Sequence, residues 1–154
     1  AIAVGGGNTF ALVSRCQRER LFDVIRERVM AGIPYTGWSA GSNIAAPSLA
    51  TTNDMPIIEP ASFATLGLLP FQINPHYTDR VLPNFHGESR QQRLEEFLMA
   101  NPEVCILALP EGSALRVDGD TATLMGEPGA YWFEGGKPKK KLAEGHELDV
   151  RRLR

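Results

Sequence analysis

The chain has 154 residues, a formal net charge of −2, 43% hydrophobic and 22% charged residues. That composition can bury a core, which argues against intrinsic disorder, and the near-balanced charge leaves no electrostatic footprint for nucleic acid. No apolar run reaches bilayer-spanning length, the opening residues do not read as a basic, apolar leader, and a cytoplasmic location is expected.

Ala1-Ile2-Ala3-Val4 reads as a buried strand that feeds the turn Gly5-Gly6-Gly7-Asn8-Thr9. A sheet that opens on a buried strand has neighbours on both sides, so the chain is expected to lack preceding βα units. Asn8 or Thr9 is suited to cap a helix over residues 10–19. Three glycines after a strand invite a phosphate-binding reading, but neither G-x-G-x-x-G nor G-x-x-x-x-G-K-[ST] is present. Gly7 is better read as a bare amide brought into a site, one half of an oxyanion hole. Residues 21–31 carry Leu21, Phe22, Val24, Ile25, Val29 and Met30 among charges, the pattern of an amphipathic helix stopped by Gly32. Cys16 and Cys105 lie far apart without metal-type spacing and read as reduced packing residues.

Ile33-Pro34-Tyr35-Thr36 then runs into Gly37-Trp38-Ser39-Ala40-Gly41, the G-x-S-x-G spacing of a nucleophile elbow. A serine forced into a sparsely populated backbone conformation needs neighbours without side chains, so that the following helix can pack against the strand. That helix, expected over residues 40–46 and ended by Pro47, would turn its first amides toward Ser39. Residues 49–68 have little periodicity and read as a long functional loop. A strand over 69–74 follows, with Pro75-His76-Tyr77 at its carboxyl end, where ligands bind in open α/β sheets.

Residues 81–87 read as a loop and 88–100 as a helix with Leu94, Phe97, Leu98 and Met99 inward. The apolar strand 104–109 ends at Pro110-Glu111-Gly112. Two hairpins are expected beyond it: 113–117 with 122–125 about Asp118-Gly119, and 130–133 with 139–142 about Gly135-Gly136. The run Lys137-Pro138-Lys139-Lys140-Lys141 reads as a solvated edge strand, and residues from 144 on as a tail that frays. The expected fold is α/β in one domain, a mostly parallel sheet flanked by helices with an antiparallel C-terminal hairpin region.

Ser39, Asp54, His76 and Glu111 fall just past strands or on neighbouring loops. A serine hydroxyl becomes a nucleophile when a histidine takes its proton and a carboxylate holds that imidazole in the right tautomer. Ser39…Asp54…His76 is an order in which such triads occur, with Glu111 as a competing third member. His86 and His146 read as surface residues. The histidines share no ligand spacing with cysteine or carboxylate, so neither a metal nor another cofactor is expected.

Six blocks resemble the aspartyl dipeptidases, the peptidase E family of cytoplasmic serine peptidases: residues 4–10 (Val-Gly-Gly-Gly-Asn-Thr-Phe), 37–41, 51–57 (Thr-Thr-Asn-Asp-Met-Pro-Ile), 72–76 (Gln-Ile-Asn-Pro-His), 87–93 (Gly-Glu-Ser-Arg-x-x-Arg) and 109–112 (Leu-Pro-Glu-Gly). They keep the family's order and mutual spacing over nearly the whole chain, to about residue 145. The resemblance implies Ser39 as nucleophile, His76 as general base, and the Gly7 and Ala40 amides as oxyanion donors. It implies Asp54 or Glu111 as third member, and Arg90 as the arginine that binds the substrate's aspartyl side chain. The family most often has Thr where Ser89 stands. The implied activity is hydrolysis of dipeptides with an N-terminal aspartate through an acyl-enzyme, by a monomer or weak dimer with small peptides as partners and no nucleic acid or membrane. Two other readings stay open: an α/β-hydrolase-type esterase using the same elbow, and a non-catalytic amidotransferase-like domain binding a small acidic ligand.

Overall fold

The computed structural model describes residues 1–80 and 86–153; residues 81–85 of the expected 81–87 loop lie outside them. The chain divides into two compact units, Ala1–Pro75 and His76–Arg154.

In the first unit β1 (Ile2–Val4) pairs in parallel with β2 (Tyr35–Gly37), Ile2 opposite Tyr35 and Val4 opposite Gly37. β1 is only half-buried, with Ala3 exposed, where a fully buried strand was expected. Helix α1 (Thr9–Arg18) starts at Asn8, whose side chain accepts a hydrogen bond from the Ala11 amide and so satisfies one of the free donors of the first turn. Its inward face is Thr9, Phe10, Val13 and Cys16, at helical spacing. Helix α2 (Leu21–Met30) buries no residue fully, but Phe22 and Ile25 pack on the core formed by Phe10, Val13, Ile44, Leu49 and Leu66. Each of those core side chains contributes roughly 1.5–3 kcal/mol relative to exposure.

Helix α3 (Ala40–Asn43) is shorter than the expected 40–46. Its continuation tightens to i→i+3 bonds, Ala45 N to Ser42 O at 3.2 Å and Ala46 N to Asn43 O at 3.1 Å, before Pro47 ends it. The loop over 49–68 is irregular apart from a Ser48–Ala64 bridge. It is stitched down by Gln17, whose Nε2 donates to Ser62 O at 2.7 Å, and by Arg26, whose Nε donates to Leu66 O at 2.7 Å. β3 (Gln72–Pro75) is buried throughout and packs on α3.

The second unit holds helix α4 (Arg90–Ala100) and two antiparallel sheets. Ser89 closes a capping box on α4: its hydroxyl accepts from Gln92 N at 3.2 Å and its own amide donates to Gln92 Oε1 at 2.8 Å. Leu94 and Leu98 face a core with Tyr77, Ile106, Ala108 and Phe133, against which Phe97 is partly buried. Met99, expected inward, is 83% exposed.

β4 (Cys105–Leu109), β7 (Ala130–Glu134) and β8 (Lys140–Leu142) form one sheet, and β5 (Ala114–Asp118), β6 (Thr121–Met125) and β9 (Glu147–Asp149) the other. Both expected hairpins are present, β5–β6 turning through Gly119 at φ 58°. The stretch expected to fray does not: β9 pairs with β6 and the following 3₁₀ turn, Val150–Leu153, buries Val150. Helices flank open sheets in this α/β fold, with parallel pairing at β1–β2 and antiparallel pairing among the C-terminal strands. No helix among the described residues is long and apolar enough to cross a membrane.

Candidate active site

Ser39 lies two residues past the end of β2, directly before the first residue of α3, at φ 56° and ψ −118°. A non-glycine residue held there costs of order 1–3 kcal/mol, and it persists only where the surroundings over-determine it. Those surroundings are close-packed backbone. An ideal Cβ on Gly37 would fall 2.4 Å from Gly41 O, and one on Gly41 would fall 2.1 Å from Val4 O. The corner is further braced by Tyr35, whose hydroxyl donates to Gly41 O at 2.7 Å, and by Ser42, whose hydroxyl donates to Gly37 O at 3.0 Å. Burial, then the nearby Cys16, pushes the Tyr35 phenol well above its ordinary range, which keeps it a donor. The G-x-S-x-G spacing therefore reports what sequence reasoning asked of it, two positions where only hydrogen fits.

The glycine turn after β1 packs against this corner. A Cβ on Gly5 would meet the Trp38 ring at 3.3 Å, and one on Gly6 would meet Ser39 Cβ at 3.2 Å and its Oγ at 3.5 Å. Gly7 has φ 133° and open space around it. Glycine-only backbone thus runs alongside the serine, the disposition an amide donor needs to reach an oxyanion formed at Ser39.

Asp54 lies in the same unit and is bound to the start of α1. One carboxylate oxygen, Oδ2, accepts from both the amide and the hydroxyl of Thr9, each at 2.6 Å. Asn8 Nδ2 donates to Met55 O at 2.8 Å, a second tie between the loop and the cap. Thr9, Thr52 and Asn43, none of which the sequence marks as functional, form a polar cluster behind it.

In the second unit His76 also has a left-handed backbone, φ 58°, and its Nδ1 is hydrogen-bonded to Glu111 Oε1. With the carboxylate ionised, Nδ1 carries the proton and donates, leaving Nε2 as the basic nitrogen. The residue after His76 is tied to the end of β4, two residues before Glu111, by a backbone bond from Tyr77 N to Leu109 O at 3.0 Å. Tyr77 itself is buried, and its hydroxyl donates to Asp79 Oδ1 at 2.5 Å. Lys139, from the run expected to be solvated, instead reaches Asp79 Oδ1 at 2.5 Å and lies 4.9 Å from the centre of the Tyr131 ring. Burial raises the Asp79 carboxyl, but hydrogen bonds from Lys139 and Tyr77 and the Lys139 charge outweigh it and hold it below the ordinary carboxylate range.

Arg90 is the first residue of α4, half-buried and directly after the capping serine. His86 is exposed, His146 half-buried, and both cysteines are free. Among the described residues no group of three His, Cys, Asp or Glu is disposed to hold a metal ion.

These features define a class, an α/β protein with a serine on a strained strand-to-helix corner and a histidine hydrogen-bonded to a carboxylate. The chain belongs to peptidase family S51, whose family model matches residues 1–125. It is 50% identical over 149 residues to a protein named Peptidase E from Nostoc sp., covering 97% of this chain and 62% of the relative. It is 57% identical over 147 residues to a Peptidase E from Shewanella amazonensis, covering 96% of this chain and 63% of that protein. The chain thus spans a little under two thirds of the length of the curated relatives it matches. The crystal structure of a peptidase from an acI-B1 Actinobacterium shares the fold, with TM-score 0.65 at 18% identity over 96% of this chain and 58% of that one. A putative Peptidase E from Listeria monocytogenes aligns with TM-score 0.51 at 21% identity, over 92% of this chain and 59% of that one.

Proposed function

We propose that this chain carries the reactive residues of a serine exopeptidase that hydrolyses dipeptides with an N-terminal aspartate. The observation that carries the reading is the backbone of Ser39, held at φ 56° between two glycines whose hydrogens are packed against backbone carbonyls. Core packing has no use for a strained, half-buried serine in that position. In the proposed reaction Ser39 Oγ attacks the scissile carbonyl as His76 takes its proton. The amides of Gly7 and Ala40 receive the oxyanion, the amine leaves with the proton from His76, and water then releases the acyl-enzyme. Glu111 is the third member in this proposal: its hydrogen bond with His76 Nδ1 supports that role, while the engagement of Asp54 with Thr9 argues against a share in it.

Arg90 is proposed to read the substrate's β-carboxylate, because a planar guanidinium can hold a carboxylate through two parallel hydrogen bonds. The protein would act without a cofactor, in the cytoplasm, as a monomer or weak dimer. Labelling with a fluorophosphonate, followed by hydrolysis of Asp-Leu and of an uncharged acyl ester, tests the proposal. Labelling should occur at Ser39 and vanish in Ser39→Ala. Arg90→Ala should lose about 30-fold or more on Asp-Leu while sparing the ester. Absence of labelling would favour a binding domain, and equal losses on both substrates would remove Arg90 from specificity.

A further inference from the structure

We propose that Asp54 is a positioning residue for the oxyanion-binding backbone: through Thr9 it anchors the glycine turn that presents the Gly7 amide, and through Thr52 and Asn43 it couples that turn to the Ala40 end of the elbow. The inference rests on the serine-peptidase reading above and deepens it. Thr9 is the first residue of α1, so its amide has no partner within the helix. The Asp54 carboxylate supplies one from 45 residues away and also accepts a hydrogen bond from the buried Thr9 hydroxyl. A turn-forming aspartate would bond to its own neighbouring backbone, which does not explain this reach.

With its single O–H donated in a hydrogen bond to Asp54, Thr9 Oγ1 can otherwise only accept. It does so from Thr52 Oγ1 at 3.1 Å and from Asn43 Nδ2 at 3.4 Å. Thr52 Oγ1 in turn accepts from Asp54 N at 3.2 Å and from Asn43 Nδ2 at 3.5 Å. Every donor in the cluster thus points along a path that ends on the one carboxylate, the arrangement that strengthens each bond in the series. At its other end, the Asn43 amide donates to Ser39 O at 3.0 Å, which places Asn43 on the helical turn begun by Ser39 and Ala40.

The two ends of the network are therefore the two backbone segments that hold the candidate oxyanion amides. The first of these segments holds three successive glycines, a stretch of high conformational freedom, and a Cβ added at Gly7 would meet nothing within 4 Å. Thr9, two residues on, is where that freedom is taken away.

The test uses the full chain and four variants: Asp54→Asn, Thr9→Val, Thr9→Ser and the double variant Asp54→Asn/Thr9→Val. Kinetics on Asp-Leu and backbone amide exchange over residues 5–8 are both measured. Thr9→Val keeps the volume and removes only the hydroxyl, so it carries the test even if Asp54→Asn does not fold. Asp54→Asn and Thr9→Val should each lower kcat by about 10- to 100-fold with KM near its original value, the loss expected for a donor misplaced by a fraction of an ångström to an ångström. The double variant should be no worse than the worse single one, because both act on one network. Thr9→Ser should restore kcat, and exchange over residues 5–8 should quicken in the three impaired variants but not in Thr9→Ser. Unchanged kcat and unchanged exchange in Thr9→Val would overturn the proposal, as would losses that multiply in the double variant. If the unmodified chain neither hydrolyses nor labels, the peptidase reading fails by itself, and the exchange measurement still decides whether Asp54 anchors the turn.

Discussion

Replacing Gly41 by alanine puts the geometry of the elbow to a direct test. Gly41 has an ordinary backbone conformation, so alanine carries no torsional penalty there and the whole effect is steric. The added methyl would lie 2.1 Å from the carbonyl oxygen of Val4 and 2.9 Å from its carbon. Relief to an ordinary contact requires about 1 Å of movement between β1 and α3. That movement breaks the bond from Trp38 N to Val4 O, now 3.2 Å, and it shifts the corner on which Ser39 rides. Overpacking costs roughly 1–3 kcal/mol and the lost hydrogen bond about another 1 kcal/mol, so about 2–4 kcal/mol in all. In a chain of this length that lowers Tm by about 5–15 °C. The same displacement of Ser39, the proposed nucleophile, should slow fluorophosphonate labelling about 100-fold. Gly136→Ala is the control: its φ of 69° is unfavourable for alanine, but nothing stands within 4 Å of the new methyl, and about 1 kcal/mol is expected. Differential scanning calorimetry of both variants decides the matter. A Gly41→Ala protein that melts with the Gly136→Ala control and labels at the normal rate would refute the close-packed corner.

Glu111→Gln should lower kcat on Asp-Leu by 100-fold or more while leaving Tm within about 1 °C, because the pair it forms with His76 is exposed and adds little to stability; a large fall in Tm would make the contact structural. Asp79→Asn should destabilise the protein at neutral pH by about 1 kcal/mol, since the side chain is 40% exposed and its charge-assisted bonds are partly screened. The folded-state pKa of Asp79 is lowered, so its stabilisation is present above the ordinary carboxylate range and is lost as the pH falls through the lowered value. Urea melts from neutral pH down to about pH 3 should therefore slope less steeply for Asp79→Asn than for the parent, and parallel slopes would count against the network.

What was legible in the sequence was the chemistry that acts over short distances. The cap of α1, read as Asn8 or Thr9, and the glycines flanking Ser39 each follow from a few adjacent letters. Contacts between distant segments were not legible. Nothing in the letters around Asp54 says that its partner is Thr9, 45 residues earlier, and the choice between Asp54 and Glu111 stayed open for that reason. Met99 was misplaced because apolar character was read without phase: it lies about 100° around the helix from Leu98, off the stripe that Leu94 and Leu98 bury. The last strand was missed because Glu147-Leu148-Asp149 has a single apolar residue. Its pairing is specified by the open edge of β6, not by its own composition.

Lys139 lies 14 positions past the end of the stretch that the S51 family model matches, yet it neutralises the carboxylate that grips Tyr77, the residue next to His76. A shortened version trimmed to residues 1–125 would retain every letter of the proposed reactive constellation while discarding the cation opposite Asp79 and the Phe133 wall that Tyr77 leans on. The hairpin from 130 to 142 is thus scaffolding for the histidine, and engineers seeking a minimal variant should prune elsewhere.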